Sequence, residues 1–124
     1  MRAELKRLHS PDIEDLISYA PSQGAAFGFL LQVMAGPQGR EGEESFDVFV
    51  CTPEWLKQNR SRADLIVGRH YLIVFEYDYK RLRSFIDGYC SQCSGETWQE
   101  VAQRLGRLGK WEFEDYKPAL QTDH

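Results

Sequence analysis

Apolar residues follow two rhythms in this chain, alternation near the ends and nearly unbroken runs in the middle, and each rhythm selects an element. Residues 2–8, RAELKRL, place Ala3 and Leu5 on one face and Glu4 and Lys6 on the other, the two-residue repeat of a half-buried strand. Residues 27–35 (FGFLLQVMA) and 45–51 (SFDVFVC) are apolar on both faces apart from Gln32 and Asp47, which predicts two interior strands. Residues 70–77, HYLIVFEY, are rich in branched and aromatic side chains and read as the central strand. Residues 110–116, KWEFEDY, alternate Trp111 and Phe113 with Glu112 and Glu114 and predict a last, half-buried strand.

Helices announce themselves by their first residues. Thr52-Pro53-Glu54 supplies a cap, a proline for the first helical position and an acid for the positive end of the helix dipole, so a short helix should run to about Arg60. Asp78 caps a second helix in which Leu82, Phe85, Ile86, Tyr89, Cys90 and Cys93 recur at helical spacing, with Lys80, Arg81 and Arg83 toward water, and Ser94-Gly95 ends it. Thr97-Trp98-Gln99-Glu100 is a capping box opening a third helix, whose face is Trp98, Val101, Ala102 and Leu105.

Two stretches break the rhythm. Residues 9–24, HSPDIEDLISYAPSQG, hold two prolines and a cluster of acids and read as a loop or short turn outside the core. Residues 36–44, GPQGREGEE, read as a long hairpin connection. The order strand, strand, strand, helix, strand, helix, helix, strand predicts an α+β fold, with a mostly antiparallel β-sheet of about five strands packed against two main α-helices plus one short helix. A single domain over residues 1–124 is expected.

Composition narrows the functional classes. With 42% hydrophobic and 13% aromatic residues, the chain is too apolar for intrinsic disorder. Acids outnumber bases 19 to 15, a net charge of −4 spread evenly over both halves, which disfavours direct nucleic-acid binding. MRAELKRLHS lacks the apolar centre of a signal peptide, and no segment is long and apolar enough to span a membrane, so a soluble, cytoplasmic protein is expected. An odd number of cysteines, Cys51, Cys90 and Cys93, favours reduced thiols over a disulfide framework.

Candidate chemistry is sparse. Gly36, Gly39 and Gly42 are spaced unlike a dinucleotide fingerprint and lead into a strand instead of a helix N-terminus, and Glu41, Glu43, Glu44 and Asp47 outnumber Arg40, so the loop is not built to hold phosphate. A solvated hairpin loop and an acidic recognition loop both remain as readings. Cys90 and Cys93 sit near a helix C-terminus, where the dipole opposes a thiolate, and zinc would need two further ligands, so packing is preferred and no metal or other cofactor is expected. His9, His70 and His124 belong to no catalytic motif. Acids beside aromatics recur in residues 12–15, in residues 41–47, and in Glu112, Glu114 and Asp115, a pattern suited to a basic protein partner. Two other readings stay open: a small-molecule enzyme with a concealed site, for which His70 is the least implausible catalyst, and a non-catalytic adaptor pairing through a sheet edge.

Three stretches in order, the first running from FGFLLQVMA through ESFDVFVCTPEWL, then RHYLIVFEYDYKRL, then SGETWQEVAQRLGRLGKWEFEDY, resemble the immunity protein 8 family of bacterial polymorphic toxin systems over nearly the whole chain. The resemblance implies an immunity protein that binds and neutralises a toxin domain encoded nearby, without turnover, and brings no catalytic motif with it. A basic nuclease would be a toxin complementary to the acids, which makes Glu41, Glu43, Glu44, Asp47, Glu112, Glu114 and Asp115 the candidate partner-binding residues. The loop acids 41, 43 and 44 are expected to project into water with no cations beside them.

Overall fold

The computed structural model describes residues 1–22, 24–62 and 65–115. Five strands and three helices follow in the expected order: β1 (Ala3–His9), β2 (Gly28–Pro37), β3 (Glu44–Cys51), α1 (Pro53–Arg60), β4 (Tyr71–Ile73), α2 (Tyr79–Gln92), α3 (Trp98–Leu105) and β5 (Lys110–Trp111). This is the α+β fold anticipated. β1, β2 and β3 form an antiparallel meander, and the far edge of β3 is shared by two short strands. β5 pairs antiparallel at Phe46 and Asp47, and β4 pairs parallel from Phe49 to Cys51.

Alternation decides which face is buried. Phe29, Leu31, Val33 and Ala35 of β2 and Phe46, Val48 and Val50 of β3 all turn to one face, where they meet Leu82, Ile86 and Cys90 of α2 and Val101, Ala102 and Leu105 of α3 in one apolar cluster. α1 packs on the opposite face, its Trp55 ring 4.7 Å from that of Phe49. Each helix opens on the cap its sequence supplies: Thr52 accepts from Trp55 N, Asp78 from Arg81 N and Thr97 from Glu100 N.

Four expectations need correction. The run 70–77 is not the central strand: only Tyr71–Ile73 pairs, at an edge, because His70 turns with a left-handed φ of 67° and pairing to β3 ends at Val74, just before the cap of α2. Residues 9–24 contribute to the core after all, since Leu16 is buried and Tyr19 packs edge-on against Phe27, Phe29 and Tyr77. Phe85 does not lie on the buried stripe of α2, which is Leu82, Ile86 and Cys90 at strict four-residue spacing; it is 52% exposed at the margin of that stripe. The last strand is two residues long, residues 112–115 form a turn, and Tyr116 lies outside the described residues.

Candidate partner-binding surface

The loop between β2 and β3 is held in place from β1. Lys6, at the irregularity in the β1–β2 register, donates to Glu4 Oε1 at 2.9 Å and to the Arg40 carbonyl at 2.8 Å, and Glu4 Oε1 also accepts from Gly39 N. Lys6 is the main cause that holds the Glu4 carboxyl below its usual range. The glycines serve the turn: Gly42 takes a φ of +106°, and a Cβ on Gly36 would stand 2.0 Å from the Gly42 carbonyl oxygen. The loop is a turn whose backbone is tied to β1 at Gly39 and Arg40.

Those acids are not equivalent. Glu41 is exposed and has no partner among the described residues, as expected. Glu43 departs from expectation, because Arg7 Nε lies 2.8 Å from its Oε1, a cation brought from β1 by sheet pairing. Glu44 departs further. Half-buried at the start of β3, its Oε1 accepts from Trp98 Nε1 at 2.7 Å and Trp111 Nε1 at 2.8 Å, fastening α3 and β5 to the sheet. Asp47 points to the face opposite α2 and α3, the face on which α1 packs, and its Oδ1 is buried without a hydrogen-bond partner among the described residues.

Pairing of β3 with β5 then joins two acidic stretches that are far apart in the chain. Ser45 N donates to Glu112 Oε1 at 2.8 Å, and Glu112 N donates back to Ser45 O at 3.1 Å. Beyond it, Glu114 Oε1 receives Arg69 Nη2 at 2.8 Å, and Asp115 is exposed with a left-handed φ of 61°. Arg69, Gln99, Gln103, Trp111 and Asp115 line a recess of about 400 Å³ beside this turn. The result is an acidic turn, Glu112, Glu114 and Asp115, beside the half-buried Trp111, joined through Ser45 to the strand that the loop acids precede. Residues 12–15 lie at the other end of the sheet: Asp12 accepts from Leu30 N and ties this segment to β2, and Asp15 accepts from Ile17 N and Ser18 Oγ in a local turn.

The remaining candidates have structural places. His70 Nε2 stands 2.8 Å from the Gly106 carbonyl oxygen and 3.2 Å from Arg69 Nε, contacts that tie the start of β4 to the end of α3. Cys51, Cys90 and Cys93 are buried free thiols. Desolvation pushes all three thiols up, Cys90 to about 12, so thiolate chemistry is suppressed. Among the described residues no group of three or more His, Cys, Asp or Glu could hold a metal ion, and no helix is long and apolar enough to cross a membrane. His9 is exposed at the end of β1, and His124 lies outside the described residues.

No curated protein and no solved structure matches this chain. The profile of one family does, and it spans the whole of the sheet and all three helices: immunity protein 8, over residues 3–116. The chain belongs to the immunity protein 8 family.

Proposed function

We propose that this chain neutralises a toxin domain encoded beside its own gene by forming a stoichiometric complex, as a single domain acting in the cytoplasm and without turnover. Membership of an immunity protein family supports a toxin as the partner. The observation that carries the choice of surface is the β3–β5 pairing: it brings Glu112 onto Ser45, next to the loop that bears Glu41 and Glu43, while Glu114 and Asp115 line the adjoining recess with Trp111 and Asp47 faces the other side of the sheet. Such an arrangement suits a basic cleft: the charges accelerate encounter, and the half-buried aromatics offer contact area once water leaves. A nuclease is the toxin class we favour, because its phosphate track is a row of cations that these carboxylates would occupy in place of nucleic acid.

Glu44 is not used in the test, because its carboxylate holds two indoles. The informative variant is Glu41→Gln/Glu112→Gln/Asp115→Asn, which changes three exposed acids. Stopped-flow association with the catalytically inactive toxin domain, at two ionic strengths, should be roughly tenfold slower than wild type at low salt and should depend less on salt. An unchanged rate and salt slope would remove this surface from the interface. Failure of the wild-type chain to relieve growth arrest by the toxin, when the two are co-expressed, would remove the function itself.

A further inference from the structure

We propose that the open edge of β4, with the apolar groove beside it, anchors an extended segment of the toxin domain that presents a large apolar side chain next to a Lys or Arg; this rests on the toxin-binding function proposed above. Among the described residues β4 ends the sheet, and its ladder to β3 runs through Phe49 N to His70 O at 2.9 Å and Val74 N to Cys51 O at 2.8 Å. In a parallel pair bonded this way, the N–H and C=O of Ile73 point away from β3, along the open edge. Soluble proteins usually blunt such an edge with lysine, proline or a bulge. This one carries Ile73 and Phe75, 48% and 82% exposed.

A groove of about 410 Å³ lies between this edge and α2, floored by Leu72, Val74 and Leu82 and walled by Phe75 and Phe85. At its mouth one cation, Arg81, is shared by two carboxylates, Glu76 at 3.7 Å and Asp78 at 3.6 Å, so the rim keeps a negative balance. These three features define the occupant. Unpaired backbone groups call for another extended backbone, the groove for an aliphatic or aromatic side chain, and the rim for a cation. A docked helix would leave the edge unpaired, and a second copy would bring one chain of net charge −4 against another. Because β4 and β5 share the outer edge of β3, the groove and the acidic surface lie on the same side of the sheet, anchor at one end and steering charges at the other.

The test uses the catalytically inactive toxin domain encoded beside the gene, with two variants of the full chain. Phe75→Ser/Phe85→Ser empties the groove walls, and Ile73→Pro removes the outward N–H without touching a β3–β4 ladder bond. The double variant should dissociate from the toxin roughly 30-fold faster or more, with association rate and salt slope unchanged. Ile73→Pro should weaken binding about tenfold, and the Ile73 amide should be protected from exchange only in the complex. Wild-type dissociation rates in both variants, with melting temperatures preserved, would overturn the inference while leaving the proposed function intact. A variant that abolishes only self-association in sedimentation would overturn it in favour of a second copy. No binding by the wild-type chain would sink the proposed function and this inference with it.

Discussion

Trp98 and Trp111 donate their indole N–H groups to one oxygen, Glu44 Oε1, at 2.7 and 2.8 Å. A hydrogen bond to a charged acceptor contributes on the order of 1.5–3 kcal/mol. Glu44→Ala leaves both donors unpaired and should lower the unfolding free energy by roughly 2–4 kcal/mol. Glu44→Gln keeps an acceptor oxygen and should cost less than half as much. Urea denaturation followed by tryptophan emission measures both; a Glu44→Ala variant as stable as wild type would show that the clamp carries no weight.

Neighbouring residues in the connection between β1 and β2 should respond in opposite ways. Leu16 is 9% exposed and belongs to the core cluster, whereas Ile17 is 72% exposed. Leu16→Ala should cost roughly 2–4 kcal/mol, and Ile17→Ala should stay within about 0.5 kcal/mol of wild type. Equal effects in thermal or urea melts would mean that this segment does not pack as described.

Two glycines should likewise differ in sign. A Cβ on Gly36 meets the Gly42 carbonyl at 2.0 Å, so Gly36→Ala must displace backbone and should destabilise by about 2 kcal/mol or more. Gly88 lies in the interior of α2 with nothing within 4 Å of its added Cβ, and Gly88→Ala should stabilise by about 0.5–1 kcal/mol through helix propensity. A loss of stability at Gly88 would contradict the open space described there.

Alkali should unfold the protein in part through Cys90. Desolvation holds this thiol up at about 12 from an ordinary 9.0, with Cys93 and Asp87 adding in the same direction. Above the ordinary value the unfolded chain has released its proton while the folded chain keeps it, so the unfolded state binds fewer protons and stability falls as pH rises between about 9 and 12. The slope for one such group is at most about 1.4 kcal/mol per pH unit. Cys90→Ala should be destabilised near neutrality by lost packing and yet lose less with rising pH than wild type. Parallel stability curves for the two proteins from pH 8 to 10.5 would rule this out.

The helix starts could be read because capping is local: Thr52, Asp78 and Thr97 each bond an amide three residues on. The two interior strands, which became β2 and β3, were legible from their apolar runs. What an apolar run does not say is whether another strand lies beside it, and so HYLIVFEY was overread although only three of its residues pair. A clue lay in the order strand, short helix, strand across residues 45–77, the arrangement that joins parallel neighbours. The site was less legible. Nothing near Glu44 marks it as an acceptor for indoles 54 and 67 positions away, and Arg7 reaches Glu43 only because two strand pairings put it there.

On the proposed function, the pairing of β3 with β5 also sets the time during translation at which the protein would gain its full toxin-binding surface. Ser45 and Glu112 meet across 67 positions, and that contact completes the acidic surface. At about 5–20 residues per second, the ribosome makes the β2–β3 hairpin several seconds before the segment that closes on it. A nascent chain or a proteolytic fragment stopping before Lys110 displays the loop acids but lacks Trp111 and the Glu112 carboxylate. Ribosome-bound chains of increasing length, probed with inactive toxin domain, should therefore associate faster once residues 110–115 have left the exit tunnel; equal association rates for shorter and longer chains would argue against it. On the proposed function, incomplete copies would then compete poorly for the toxin, and protection would count finished molecules.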